Sequence, residues 1–375
     1  MNRATRNLVY QALALSLVLG VVAAITLTTI ANLENRGISL GLTFLSDRAG
    51  FTLSETWLPY SPDDTNAYAL AVGVGNTLVV TVLVAMLSTL LGGALGVLRI
   101  SDNPLSAGFA RSWVEFSRNT PPILLLLFLY SLLGQVLPVD SAASLGGSAY
   151  LSLRGLAIPV LDLGGRGIWL FFALLGGLGG FVLAGHLASE RQKRTGTRPP
   201  WQAITAAAIA ALMAVLAVAL GPDLKMDWPT ADGPDILGGF VVSPEFFTLI
   251  VGLSIYTSGF IAEIVRTGLQ SITRGQWEAA FALGLTRSQA LRLVIIPQMF
   301  RVIIPPMNSQ YVNIVKNSTL VIAIGYADFM VTAGTMINRT SRAVEGTILI
   351  ILVYLCINLT ISWVMNKINQ SFEKA

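Results

Sequence analysis

The chain has 375 residues, of which 54% are hydrophobic and only 12% are charged, and its net charge is +4. Soluble globular domains carry about 25% charged residues, so this composition excludes an ordinary soluble domain and predicts a polytopic membrane protein. The lone Cys356 excludes an intrachain disulfide. The lone His186 has no companion ligands nearby, so we predict no metal site.

The first apolar span covers residues 8–31 and is long enough to cross a bilayer. A secretory signal peptide is the alternative, but its apolar core would be unusually long, and no clear cleavage site follows. We therefore expect a retained helix. A polar loop at 32–66 follows, in which Trp57 and Tyr60 are residues suited to a membrane interface.

The second span covers residues 67–98 and contains Gly92 and Gly96, a small-xxx-small pair that favours close packing against a neighbouring helix. Residues 99–120 are amphipathic and basic, and Arg118 is predicted to anchor this segment at the cytoplasmic interface. The third span, 121–137, begins with two prolines, which a first helical turn tolerates.

The middle of the chain adds a predicted helical hairpin. A glycine- and serine-rich loop at 139–166 precedes the apolar spans 167–188 and 202–220. The loop between these two spans is the most basic of the chain, whereas the following loop, 221–243, is acidic. We therefore expect a hairpin whose tip lies in the cytoplasm.

The last three predicted spans are 244–265, 307–330 and 345–365. With the N-terminus inside, most of the 24 basic residues fall in cytoplasmic segments, as the positive-inside rule requires. This topology has eight spans and both termini in the cytoplasm. It divides the chain into four parts: a first helix with its outer loop at residues 1–66, a first core part at 67–138, an insertion at 139–243 and a second core part at 244–375.

The segment 274–306 is a basic, polar stretch between apolar spans, and its first half has helical spacing. We expect Glu278 in a first helical turn, where a carboxylate suits the positive end of the helix dipole. Gly284 would permit a bend. Thr286 would cap a second short helix, which Pro297 would close. The pattern predicts a helix–turn–helix at the membrane surface.

This segment resembles the EAA loop of ABC importer permeases. The resemblance rests on Glu278-Ala279-Ala280, on Gly284, and on Ile295-Ile296 before Pro297. Three flanking segments are similar to the polar amino acid uptake branch of that family: residues 118–130, 263–276 and 308–320. The likeness covers roughly residues 70–138 and 244–366.

The resemblance implies an all-α polytopic fold of about eight transmembrane helices. A MetI-like core of five helices would be extended by the N-terminal helix and the inserted hairpin, as in larger permeases of the general L-amino acid type. It implies a permease subunit of an ATP-driven importer for polar or general L-amino acids in a bacterial inner membrane. Substrate would cross by alternating access.

The expected partners follow from the same resemblance. A cytoplasmic ABC ATPase dimer would hold ATP and Mg²⁺, so no cofactor is expected on this chain. A second related permease, in a heterodimer rather than a homodimer, and an extracytoplasmic amino acid-binding protein complete the expected complex. No nucleic acid is expected. The chain has neither a phosphate-binding loop nor a Ser/His/Asp arrangement, which argues against an enzyme.

The resemblance assigns contact with the ATPase to Glu278, Ala279, Ala280, Gly284 and Arg287. For the substrate pathway the candidates are Lys316, Asn317, Ser318, Thr319, Asn76, Thr77 and Glu263. A lysine in hydrocarbon needs protein or water around it. Lys316 therefore either lines the pathway or pairs structurally, with Glu263 or Asp328 as possible partners.

The alternative function is a secondary amino acid transporter driven by an ion gradient. Such a protein would be expected to show repeated broken helices and buried carboxylates near the membrane midplane. Glu263 and Asp328 are the candidate carboxylates, but the sequence has no convincing internal repeat.

Overall fold

The computed structural model describes residues 3–35, 41–136, 143–162 except 147, 225–232 and 235–373, with scattered positions between 184 and 209. The predicted spans at 167–188 and 202–220 lie outside the described residues, apart from those scattered positions. His186 also lies outside them.

The described residues are mainly helical, and the helices follow the predicted spans closely in the first half of the chain. They are α1 (Arg3–Asn35), α2 (Asn66–Leu98), α3 (Pro104–Asn119), α4 (Pro122–Val136), α5 (Pro244–Gln270), α6 (Arg274–Ala282), α7 (Arg287–Ala290), α8 (Ile296–Ser318), α9 (Phe329–Thr340) and α10 (Ala343–Glu373).

Four helices of the described part are long and apolar enough to cross a membrane: α2, α5, the continuous helix from Arg287 to Ala323, and α10. The pair α3 and α4 makes a fifth candidate, because the two helices pass the same test together but are bent by 104°. Helix α1 contains a shorter apolar stretch at Leu15–Ile25. With the two spans outside the described residues, these helices are compatible with eight crossings.

Short β-strands occupy both loops that flank the predicted hairpin, and the sequence pattern does not indicate them. The strands are β1 (Ala143–Leu145), β2 (Ala149–Ser152), β3 (Gly155–Ile158), β4 (Val160–Asp162), β5 (Lys225–Asp227), β6 (Thr230–Asp232), β7 (Asp235–Leu237) and β8 (Phe240–Val242). One sheet has the order β1-β2-β3-β8, while β4-β5 and β6-β7 form two-stranded pairs. Strands of three or four residues are too short for a periodic pattern to predict.

Helices α2 and α5 form the most extensive helix pair, and two glycines allow their close approach. A Cβ at Gly92 would lie 2.7 Å from Cβ of Ile261, and a Cβ at Gly96 would lie 2.7 Å from Cβ of Val265. Both distances are shorter than real side chains tolerate. The predicted small-xxx-small contact is therefore confirmed, and its partner is α5.

The seventh span differs from its prediction at both ends. Helix α7 continues through a π-helical turn, Leu291–Ile295, into α8, and a 3-10 turn, Thr319–Ala323, follows α8. Pro297 therefore does not close the helix. It lies just after the π-helical turn, and the shifted hydrogen-bond register of that turn accommodates a residue without an N–H inside a continuous helix. A span is present here, but the predicted bounds of 307–330 were wrong: the continuous helix runs from Arg287 to Ala323, and α9 begins separately at Phe329.

Candidate coupling and translocation site

The first helix of the predicted helix–turn–helix begins at Arg274, after Thr273 at its N-cap. Glu278 therefore lies in the second turn, and the first turn contains no acidic residue. This corrects the expectation that Glu278 faces the positive end of the helix dipole, because that effect fades beyond the first turn. The Glu278 side chain is exposed to solvent.

The turn between α6 and α7 depends on Gly284, whose φ is +75°. Backbone hydrogen bonds close the turn, since Gly284 N–H donates to Phe281 O at 2.9 Å and Leu285 N–H donates to Ala280 O at 3.2 Å. Thr286 then caps α7 in a capping box with Gln289, as predicted. The sequence thus folds locally into a bent unit, residues 274–290, which we call the elbow.

The elbow presents both polar and apolar side chains to solvent. Glu278, Ala279 and Arg287 are exposed, whereas Ala280 is only 2% exposed. Ala280 is therefore packed inside the elbow and does not lie on its exposed surface, which corrects the expectation that Ala280 itself contacts the ATPase. Sequence reasoning missed Leu283, which is 79% exposed and is a protruding apolar group beside the turn.

The elbow is bonded to α8, and α8 is hydrogen-bonded in turn to α10. The π-helical turn joins it covalently to α8, and Gln298 Nε2 on α8 donates a hydrogen bond to Gln276 Oε1 on α6 at 2.9 Å. Arg301 Nε on α8 donates to the backbone oxygen of Phe372 on α10 at 2.9 Å. The elbow is therefore connected directly to α8 and, through Arg301 on α8, indirectly to α10.

Glu263 lies in a cluster with three arginines at the ends of α2, α3 and α5. Arg99 and Arg266 both pair with its carboxylate, and Nη1 of Arg118 lies 3.8 Å from Oε2. The cluster holds the end of α2 against α5. The pair between Glu263 and Arg266 is an i,i+3 pair on one helix, which sequence spacing can predict. The pair with Arg99 could not be read from the sequence, since Arg99 and Glu263 are 164 residues apart.

The structure does not pair Lys316 with either of its predicted carboxylates. Asp328 is fully buried and caps α9, accepting a hydrogen bond from Val331 N–H at 2.8 Å, while Glu263 belongs to the arginine cluster. Within the described residues Lys316 forms no ion pair, and its side chain is exposed on the surface of this chain. An exposed lysine on a membrane helix requires cover other than lipid.

The remaining pathway candidates divide into two groups. Asn76 and Thr77 are buried within this chain, where Asn76 Nδ2 donates to Ala327 O at 2.6 Å and Thr77 Oγ1 accepts from Phe329 N–H at 3.0 Å. Ser318 is also buried. Asn317 and Thr319, in contrast, are half-buried beside Lys316. Asn76 and Thr77 thus join the N-terminal half of α2 to the start of α9.

A cavity of about 370 Å³ opens between α8 and α10, on the side of Lys316 that leads towards the elbow. Its lining includes Pro305, Asn308, Ser362, Asn366 and Asn369. The serine and the three asparagines of this lining are polar but neutral, so they offer hydrogen-bond donors and acceptors without charge. Polar residues recur along α10 at three- and four-residue steps, and this is the sequence signal that corresponds to the cavity.

Comparisons with known proteins identify the family. Residues 88–374 match the family described as binding-protein-dependent transport system inner membrane component. The chain is 39% identical to the general L-amino acid transport system permease protein AapQ of Rhizobium johnstonii, over 97% of this chain and 91% of the relative.

Two further relatives also match over nearly their whole length. The putative amino-acid ABC transporter permease protein YhdX of Escherichia coli is 41% identical, over 98% of this chain and 94% of the relative. The glutamate/glutamine/aspartate/asparagine transport system permease protein BztB of Rhodobacter capsulatus is 36% identical, with coverage of 98% and 94%. The chain therefore belongs to the family of binding-protein-dependent transport system inner membrane components, the membrane-spanning permeases of ABC importers.

Proposed function

We propose that this chain is a permease subunit of an ATP-driven importer for polar or general L-amino acids. The observation that carries the proposal is an exposed elbow built on the EAA-like residues, attached to membrane helices of a chain that belongs to this family. The names of AapQ, YhdX and BztB all refer to amino acids, and two of them to general or multiple substrates. An ion-gradient-driven secondary transporter has no support from the family match.

The elbow is the proposed contact with a cytoplasmic ABC ATPase dimer, which binds ATP and Mg²⁺. Glu278 and Arg287 offer charged groups to that partner, and Leu283 offers an apolar group for a cleft on its surface. Because Gln276 is hydrogen-bonded to Gln298, movement of the docked elbow would pull directly on α8. Nucleotide-driven closure of the ATPase would then change access to the pathway.

The pathway is proposed to run along α8, past Lys316. Asn317 and Thr319 flank this lysine, and the polar cavity at Asn308 lies eight residues nearer the elbow, about 12 Å along the helix. The lysine ammonium suits the α-carboxylate of an amino acid. Since Lys316 faces away from its own chain, a second related permease is proposed to cover it, so that two chains enclose the pathway.

The proposed topology places both termini and the elbow in the cytoplasm of a bacterial cell. An extracytoplasmic amino acid-binding protein would deliver substrate to the opposite face, where residues 41–65 and the strands lie. The distribution of basic residues supports this orientation.

The proposal is tested by purifying the assembled complex and measuring its ATPase activity with a panel of amino acids. We expect an ATPase subunit to copurify, and its activity to rise with binding protein loaded with particular L-amino acids. Uptake driven by a proton or sodium gradient, by this chain alone, would overturn the proposal.

A further inference from the structure

Helix α3 differs from its neighbours because its three faces have three different surroundings. One face is packed against α5 by Ala110, Val114 and Ser117, which are buried. A second face carries exposed apolar side chains at four- and seven-residue spacing, Leu105, Phe109 and Phe116, each more than half exposed. The charged side chains Arg111, Glu115 and Arg118 lie on the remaining face.

The angle between α3 and α4 would allow the apolar face of α3 to lie against the surface of the membrane. Helix α4 is an apolar span, and α3 meets it at 104°. If α4 crosses the bilayer, α3 lies close to the membrane plane, beside the ends of α2 and α5. A helix with this division of faces typically lies at the headgroup boundary with its apolar side chains in the acyl region.

The arginine cluster lies at the C-terminal end of the same helix and has an excess of positive charge. Glu263 is its single carboxylate, and Arg99 and Arg266 already occupy both carboxylate oxygens. Arg118 is therefore held less tightly, at 3.8 Å, with its side chain 45% exposed and its guanidinium 5.6 Å from the centre of the Phe260 ring. Among the described residues, Arg118 has no other acidic partner.

We propose that Arg118, with Arg99 and Arg266 behind it, binds the phosphate of an anionic phospholipid in the leaflet on which α3 lies. A planar guanidinium suits a phosphate group, and basic pockets between membrane helices on the cytoplasmic side bind such headgroups. The placement of α3 commits the site to a lipid, because its exposed apolar face sets the helix at the headgroup boundary, where the phosphates of the leaflet are within reach of its charged face. Nearby Glu115 and Asp102 reduce the positive potential without reversing it.

The test uses the purified, delipidated full complex in detergent, with native mass spectrometry to count bound lipids. The probes are dioleoyl phosphatidylglycerol and its zwitterionic phosphatidylcholine analogue. Arg118→Gln should lower phosphatidylglycerol affinity about fivefold, as expected for one basic group near an anionic lipid, and leave phosphatidylcholine unchanged. Arg48→Gln, which breaks the exposed pair with Asp63 in the outer loop, is the matched control and should change neither.

A second variant separates this proposal from a purely structural cluster. Glu263→Gln removes the carboxylate that competes for the arginines, so phosphatidylglycerol affinity should rise above the wild-type value. Equal affinities in Arg118→Gln and Arg48→Gln would overturn the proposal, as would weaker lipid binding in a Glu263→Gln complex that keeps its wild-type melting temperature. Selective retention of a soluble protein instead of lipid at this face would also overturn it.

Discussion

Gly284→Ala tests whether the bend of the elbow is required for coupling. The glycine has a φ of +75°, and an added Cβ would meet nothing within 4 Å. The penalty is therefore confined to the backbone, at about 1–2 kcal/mol for a left-handed residue with a Cβ. A cost of that size disfavours the bent conformation by about 5- to 30-fold. We expect ATP-driven uptake in proteoliposomes to fall by a factor in that range.

Two matched variants distinguish backbone strain from other causes. Gly284→Asn should retain more uptake than the alanine variant, because asparagine enters the left-handed region at lower cost. Gly93→Ala places a Cβ in open space within α2, so uptake should stay at the wild-type level. Wild-type uptake in Gly284→Ala, at equal expression, would refute the argument that the bend serves coupling.

Three further predictions concern packing, the pathway and pH. Gly96→Ala should lower the melting temperature of the purified protein through an overpacking cost of about 1–3 kcal/mol, since its Cβ would lie 2.7 Å from Val265; an unchanged value would contradict the tight α2–α5 contact. Lys316→Ala should reduce uptake at least about tenfold while the complex stays assembled, because one charge contact is worth more than about 1.4 kcal/mol. The control Lys367→Ala should leave uptake unchanged. Burial raises the pKa of the Glu55 carboxyl above its ordinary value of 4.5. The protonated Glu55 carboxyl therefore stabilises the fold fully below about pH 4.5, and this stabilisation is lost as the pH rises through the raised pKa. When the pH exceeds the raised pKa, the melting temperature of the wild type should fall relative to that of Glu55→Gln.

Local rules predicted the parts of the fold that depend on neighbouring residues. The cap at Thr286 and the bend at Gly284 follow from side-chain and backbone preferences within a few residues. The glycine pair at 92 and 96 predicted a close helix contact, although the sequence could not name α5 as the partner. The strands were not predicted because each has only three or four residues, too few to show alternation, and because β3 and β4 pair with segments far along the chain.

Long-range electrostatics could not be predicted in the same way. The sequence makes Glu263 a candidate partner for Lys316, but the fold brings Arg99 and Arg118 from two distant segments to that carboxylate instead. The sequence predicts a helix end at Pro297, yet the helix continues past it by way of the π-helical turn. Which face of the elbow is exposed also depends on packing between distant segments. The sequence therefore could not show that Ala280 is buried and that Leu283 is exposed.

The most direct test of the account is the location of the elbow. A single cysteine at Leu283, in a Cys356→Ser background, should react with a membrane-impermeant maleimide in inside-out vesicles. Its labelling should then be blocked when the ATPase subunit is bound. Labelling from the extracytoplasmic side, or labelling that the bound ATPase does not reduce, would contradict the claim that this chain is driven through residues 274–290.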